Sequence, residues 1–201
     1  MGNGNKAEML IAICAVLTSV IALFVAWDQG RVMRAQQHGS VYPVLQVDGF
    51  VSSTSTRRSL GLRLSNSGVG PALIESVTLL EGGEPIDGFE SHRESLPPGY
   101  DLSWSGATGR ALAPDQMITP VEVAWPVEAL SQDDFYEVAG EWDDLALEIC
   151  YCSVFERCWK LRGIGTARAE RVNRCERSDR DIFEELRTPA PSAGIETPEV
   201  E

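Results

Sequence analysis

The stretch LSNSGVGPALIESV, residues 64–77, decides between two classes of fold. Its Gly68-Val69-Gly70 core matches the start of the G-x-G-x-x-G loop that binds dinucleotide phosphates between a strand and a helix. Leu73 stands where that pattern requires its third glycine, and no lysine follows as a P-loop requires. The residues after Pro71 include several β-branched side chains, which favour a strand. The stretch therefore predicts a turn between two strands.

Four residues are assigned to this predicted turn, and each has a separate role. We expect the side chain of Asn66 to hydrogen-bond its own backbone and start the turn. Gly68 and Gly70 are expected to supply positive φ angles, and Pro71 to fix the exit. The functional alternative for this loop is an anion held by successive backbone N–H groups.

Period-two alternation around the turn predicts a mainly β domain over residues 41–163. Leu60, Leu62 and Leu64 alternate with small or polar residues, so one face of that strand is expected to be buried. Pro43 lies in the first predicted strand, residues 41–48, and confines its early part to a sheet edge. The other strands are predicted at residues 41–48, 74–80, 102–105, 120–125, 145–152 and 158–162. Short strands separated by turn residues, without a long amphipathic helix between them, favour an antiparallel, immunoglobulin-like β-sandwich.

An uncharged run, MLIAICAVLTSVIALFVAW, occupies residues 9–27. A helix of this length spans roughly 30 Å, the thickness of the hydrocarbon core of a bilayer. The alternative is a cleaved secretory signal, which has a basic leader, a shorter apolar run and a small-residue cleavage site. Lys6 is the only basic side chain before the run, and Val25-Ala26-Trp27 fits a small-residue cleavage site poorly. We predict a retained transmembrane helix, preceded by a polar leader at residues 1–8 and continued by a juxtamembrane helix at residues 28–40.

Small side chains form a stripe along one face of the predicted anchor, since they are spaced three and four residues apart. The stripe consists of Ala12, Ala15, Ser19, Ala22 and Ala26. Such residues let helices approach closely in lipid, so the anchor is expected to pack on itself or on a helix of a larger membrane complex. The alternative is an anchor without a helical partner, because alanine is common in membrane spans.

Four of the five cysteines lie close together in the sequence of the soluble part. Cys150 and Cys152 are two residues apart on a predicted strand, so they point to the same face. A turn at residues 153–157 brings Cys158 alongside Cys152. The expected bonds are Cys152–Cys158 and Cys150–Cys175, although four cysteines allow three connectivities. Free thiols and a four-cysteine zinc site are the alternatives, and the Cys-x-Cys spacing matches zinc knuckles poorly.

The net charge of −13 is unevenly distributed. Residues 64–156 contain eighteen acidic side chains and only two basic ones, Arg93 and Arg110. Such a surface repels nucleic-acid phosphates, so we expect no nucleic-acid partner.

The residues that follow have the opposite balance, with nine basic and six acidic side chains over residues 157–187. Within them, residues 164–187 are predicted to form a charged helical segment stabilised by i,i+4 pairs such as Glu170–Arg174. A basic site for anionic lipid or for a partner is the alternative. Residues 188–201, rich in proline and glutamate, are predicted to be disordered.

The sequence contains few candidates for catalysis. The two histidines are His38 and His92, and neither G-x-S-x-G nor H-E-x-x-H occurs. His92 is interpreted as a solvated loop residue, and the aspartate pairs at 133–134 and 143–144 as surface turns that lack calcium-loop spacing. We therefore predict a non-catalytic protein without a cofactor or a metal, and we identify no small-molecule substrate.

Three runs of the sequence belong together: MRAQQHGSVYPVL at residues 33–45, NSGVGPALIESV at residues 66–77 and ICYCSVFERCW at residues 149–159. With these runs the chain resembles a family of small, uncharacterised bacterial proteins with one amino-terminal membrane anchor. The resemblance implies an anchor and a β domain with an N-x-G-x-G-P-A motif, and it carries no catalytic residues.

Basic residues lie on both sides of the anchor, so charge leaves its orientation undecided, whereas clustered cysteines are typical of an oxidising compartment. The predicted location is the inner membrane, with the domain in the periplasm. The expected function is binding or scaffolding a protein partner. The alternatives are an accessory subunit of a membrane complex and, less favoured, an enzyme of unknown type.

Overall fold

The computed structural model describes residues 4–187, except for the side chains of residues 4–7, 35 and 38. The chain divides into two compact units between Ser40 and Val41. The predicted disordered tail at residues 188–201 and the first three residues of the predicted leader lie outside the described part.

The first unit is one continuous helix, α1, from Gly4 to Gly39. Most of the predicted leader and the juxtamembrane segment therefore belong to the same helix as the apolar run. The segment Glu8–Arg34 is long and apolar enough to span a membrane, and its most apolar window of 18 residues has a mean hydropathy of 2.8. None of this segment is buried by other parts of the chain, so its apolar side chains are free to contact lipid.

The second unit is built from two antiparallel sheets, and the predicted mainly β, sandwich-like fold is confirmed. The strands are β1 (Leu45–Ser53), β2 (Arg57–Asn66), β3 (Ala72–Glu81), β4 (Glu84–Ile86), β5 (Asp101–Trp104), β6 (Ala111–Leu112), β7 (Met117–Pro126), β8 (Leu145–Cys152), β9 (Cys158–Arg162) and β10 (Ala169–Val172). The first sheet has the order β1-β2-β7-β5, and the second has β10-β9-β8-β3-β4, with β6 paired to β3. Pro43 precedes β1, which lies at the edge of the first sheet as predicted.

The core lies between the two sheets and follows the predicted alternation. Leu62 and Leu64 of β2 are buried, whereas Arg63 between them is exposed. They pack with Leu45, Val47 and Val121 of the first sheet and with Ile74, Leu79, Leu147, Ile149 and Leu161 of the second. Alternate residues of a strand share a face, so each sheet contributes one apolar face to the sandwich.

Two short helices were not predicted: α2 (Glu90–Glu94) and α3 (Gln132–Glu141). Phe135 and Val138 of α3 cover a second core cluster that includes Trp125 of β7. The predicted surface turn at residues 133–134 is wrong, because both aspartates lie in the first turn of α3, where negative charge is favourable. The pair at residues 143–144 does lie in a turn.

The predicted helix at residues 164–187 is wrong. This segment contains β10, which pairs with β9, and a 3₁₀ helix at Glu184–Arg187. Arg177 donates to Glu75 of β3 at 2.9 Å, and Arg180 pairs with Glu185, instead of forming i,i+4 pairs. Each helical charge pair would contribute only a few tenths of a kcal/mol, so pairing of β10 with β9 outweighs the helical alternative. The segment therefore belongs to the β unit.

Candidate functional site

Asn66, at the end of β2, is the polar centre of the glycine turn, which we define as residues 66–71. Its side chain is fully buried. Oδ1 accepts the N–H groups of Val44 at 3.1 Å and Gly68 at 3.0 Å. Nδ2 donates to the carbonyl oxygens of Gly70 at 2.8 Å and Leu112 at 2.9 Å. The Gly68 bond is the predicted local contact, and with the other three the amide uses all of its hydrogen-bonding positions.

The glycines of this turn are needed for close backbone contact. Neither Gly68 nor Gly70 has a positive φ, so that prediction is wrong. A Cβ on Gly68 would overlap backbone atoms of Tyr42 and Val44, and one on Gly70 would overlap the backbone of Val41. The turn thus packs directly on residues 41–44, where the β unit begins.

The backbone N–H groups of the turn are occupied within the protein. Gly68 donates to Asn66, and both Val69 and Gly70 donate to the carbonyl oxygen of Tyr42, at 2.9 and 3.3 Å. Pro71 has no N–H group. The alternative of an anion bound by successive N–H groups is therefore not supported.

The four clustered cysteines form a buried cluster of their own in the β unit. The structure joins Cys150 to Cys175 and Cys152 to Cys158, which is the pairing expected from the sequence. Cys152 and Cys158 are directly opposite in the pairing of β8 with β9. Each cysteine is at most 8% exposed. The bonds close loops of 25 and 6 residues and contribute about 2–4 kcal/mol each by restricting the unfolded chain.

Among the residues that the structure describes, three sulfurs of the cysteine cluster lie close enough together to be considered as metal donors. The Sγ atoms of Cys152, Cys158 and Cys175 lie within 4.8 Å of one another. Zinc binds thiolates, however, and all three sulfurs are in disulfides, so the oxidised chain offers no zinc ligand here. Cys14 is a free thiol and lies in α1.

His92 is held inside the structure, and its interpretation as a solvated loop residue is wrong. It lies in α2, and its side chain is 11% exposed. Nε2 is 3.3 Å from a carboxylate oxygen of Glu81, and the ring contacts Trp142 edge-on. His38 lies in α1, and its side chain is outside the described part.

Tyr151 of β8 is a buried titratable group in the core. Burial raises the pKa of Tyr151 to about 12, and the backbone of Leu45 partly offsets this by hydrogen bonding. In the unfolded chain the hydroxyl loses its proton near the ordinary tyrosine pKa of about 10. In the folded state it is still protonated at that pH, because its pKa is higher.

We expect the free energy of unfolding to fall as the pH rises from about 10 to about 12, because only the unfolded state ionises this tyrosine in that window. The loss is about 2 kcal/mol. Denaturant titrations across this range measure it. Tyr151→Phe is the control, and an equal loss in that variant would show that another group is responsible.

Asp181 links the carboxyl-terminal segment to the sandwich, a role that was not predicted from the sequence. Its Oδ2 accepts the N–H groups of Ala107 and Thr108, both at 2.6 Å. Its Oδ1 accepts those of Phe183 at 2.9 Å and Glu184 at 3.3 Å. The signal was present, because Asp181-Ile-Phe-Glu184 has the spacing of a capping box.

We expect Asp181→Asn to lower the free energy of unfolding by about 2 kcal/mol, because an amide nitrogen replaces one oxygen that accepts backbone N–H groups. Thermal unfolding monitored by circular dichroism measures the change. Asp179→Asn alters an exposed aspartate nearby and is the control. Equal stability of both variants would contradict the role of Asp181.

The β unit carries an apolar groove in which a small ligand could lie. It has a volume of about 290 Å³ and is lined by Phe50, Leu62, Trp142, Leu145 and Ile164, among others. Its size is near the lower end of the range for ligand pockets.

Comparison with known proteins identifies no relative, since no family model matches the chain and no curated protein is detectably similar. The resemblance to an anchored bacterial family stays a prediction.

Proposed function

We propose that the chain is a single-pass protein of the bacterial inner membrane whose periplasmic β-sandwich binds or scaffolds a protein partner without catalysing a reaction. We further propose that the sandwich is immunoglobulin-like, an architecture that presents loops at both ends for recognition. The observation that carries the proposal is an apolar helix, unburied by the chain, joined to a disulfide-bearing β unit.

The anchor supports the membrane part of the proposal. Eighteen or more exposed apolar residues in a helix are unfavourable in water and favourable in hydrocarbon. Leu23, Phe24 and Trp27 are each about 70% exposed, a level that lipid would cover.

The disulfides support the periplasmic part. Disulfides persist in oxidising compartments and are rare in the cytosol. Two of them within 26 residues, on strands β8 and β9 and the segment after β10, favour folding outside the cytoplasm.

The experiment is a detergent pull-down of the full chain from bacterial membranes, compared with a variant whose residues 9–27 are replaced by an unrelated spanning helix. We expect a stoichiometric protein partner with both chains. Recovery of no partner with either chain contradicts a binding or scaffolding function.

A second candidate function is that of an accessory subunit held by its membrane helix. The stripe of small residues favours it, and the one hydroxyl in that stripe, Ser19 Oγ, donates within the helix to the carbonyl of Ala15 at 2.8 Å. The stripe thus consists of small side chains, which allow the backbone of another helix to approach closely. In the pull-down, loss of the partner with the replaced span would favour this candidate.

We expect Ala15→Leu combined with Ala22→Leu to abolish association in a membrane two-hybrid assay if the stripe is an interface, because the added side chains separate the helices. The control is Ile13→Leu with Val20→Leu, which alters another face of α1. Unchanged association in the Ala15 and Ala22 variant would refute the second candidate.

A further inference from the structure

The two disulfides lie side by side on one face of the second sheet. Cys150 and Cys152 are two residues apart in β8, so their side chains share a face. Cys158 is opposite Cys152 in β9, and Cys175 lies over β9 with its sulfur 3.9 Å from the carbonyl oxygen of Trp159. The second bond therefore lies next to the first.

The sulfur of Cys175 is close to both sulfurs of the neighbouring bond. The Sγ atoms of Cys152, Cys158 and Cys175 all lie within 4.8 Å of one another. The four cysteines form a cluster of their own, contacted by Val172 and separate from the main core. A thiolate formed at any of the three positions therefore faces a disulfide that belongs to the other pair.

Lys160 provides a basic side chain on the face of the second sheet that carries the cluster. Lys160 is two residues from Cys158 in β9, so the two side chains lie on the same face. Its Nζ forms an ion pair with Oε1 of Glu148 at 2.9 Å. Arg157 and Arg174 directly precede Cys158 and Cys175 in the sequence, and the acidic residues Glu156 and Glu176 lie within two residues of the same cysteines. Thiolates near lysine and arginine are the reactive species in disulfide exchange.

We propose that the cluster is an internal thiol–disulfide exchange site that accepts an external thiolate, from a small thiol or a protein thiol. The external thiolate attacks Sγ of Cys152, forms a mixed disulfide and releases the thiolate of Cys158. This thiolate attacks Sγ of Cys175, the Cys158–Cys175 bond forms, and Cys150 leaves as a thiolate. One external thiol is bound, one internal disulfide is kept, and no further oxidant is needed.

The exchange transfers the attachment of the carboxyl-terminal segment from β8 to β9. In the starting structure, Cys175 fastens the segment after β10 to Cys150. After exchange it is fastened to Cys158, and Cys150 is a thiol. This inference requires the oxidised β unit and is independent of the membrane partner proposed above.

The test is disulfide mapping of the full chain carrying Cys14→Ser, which removes the thiol of the anchor. The protein is treated with a limiting amount of reduced glutathione, alkylated and digested with trypsin. Cleavage after lysine and arginine places Cys158 in residues 158–160 and Cys175 in residues 175–177, while Cys150 and Cys152 share one peptide. In the starting pairing, the two short peptides are joined only through that third peptide.

We expect a direct link between residues 158–160 and 175–177 in about a tenth or more of the glutathione-modified molecules. Its absence, with only starting and fully reduced pairs recovered, would overturn the proposal. This measurement uses no altered cluster residue, so it does not depend on whether a cysteine variant folds.

Two cysteine variants provide a matched comparison. Cys150→Ser leaves the thiol of Cys175 next to the Cys152–Cys158 bond, and we expect Cys175 to be recovered in disulfides without added thiol. Cys175→Ser leaves Cys150, which lies outside the group of three close sulfurs, and we expect Cys152–Cys158 to be retained. Equal exchange in both variants would show that proximity of the three sulfurs does not direct the reaction.

Discussion

Asn66→Asp is expected to lower the free energy of unfolding by about 4 kcal/mol, because the carboxylate has no donors for two buried carbonyl groups. The amide nitrogen now donates to the carbonyl oxygens of Gly70 and Leu112, at 2.8 and 2.9 Å. An oxygen in its place would face both carbonyl oxygens and would place negative charge in a fully buried site. Denaturant unfolding of the oxidised protein measures the change.

Asn173→Asp is the matched control, since it makes the same chemical change at an exposed asparagine of the same unit. Its free energy of unfolding should stay within about 0.5 kcal/mol of the wild type. A similar, small effect of both substitutions would contradict the assignment of Asn66 as the polar centre of the glycine turn.

Gly70→Ala is expected to lower the free energy of unfolding by about 3 kcal/mol, because the added methyl group overlaps backbone atoms of Val41. A side chain can rotate away from such an overlap, but a backbone cannot. The turn must therefore move away from residues 41–44, which weakens the hydrogen bonds from Val69 and Gly70 to the carbonyl oxygen of Tyr42. Thermal unfolding and limited proteolysis near residue 41 both detect this movement.

The control for this prediction is Gly140→Ala, at an exposed helical site of α3 with open space around the glycine. It should stabilise the protein by up to about 1 kcal/mol, since alanine has the higher helix propensity. If the Gly70 variant were as stable as this control, close packing of the turn on residues 41–44 would be wrong.

Strands were predicted correctly where the alternating apolar residues and the adjacent turn lie in one short stretch of sequence. Residues 145–152 and 158–162 match β8 and β9, because alternating apolar residues and the intervening turn specify a hairpin. The disulfide pairing follows from that hairpin, since opposite positions bring Cys152 to Cys158 and leave Cys150 for Cys175.

Other features depend on contacts that a sequence pattern does not display. Gly68 and Gly70 were correctly assigned to a turn, but their role comes from backbone atoms more than twenty residues earlier in the chain. The bonds from the N–H groups of Ala107 and Thr108 to Asp181 likewise join parts of the chain that are far apart in sequence. Strand β10 pairs with the neighbouring strand β9 across a short loop, and this pairing outweighed the helical charge spacing. Helix α3 was missed although Ser131 caps it through a 3.2 Å bond from the N–H of Asp134.

The most direct test of the whole account is a thiol count on carbonate-washed membranes prepared without reductant. The protein is denatured in an alkylating reagent, and its mass gives the number of modified cysteines. An anchored protein with an oxidised periplasmic domain stays in the membrane pellet with one modified cysteine, Cys14, of the five in the chain. Release into the carbonate wash, or modification of all five cysteines, would contradict the account.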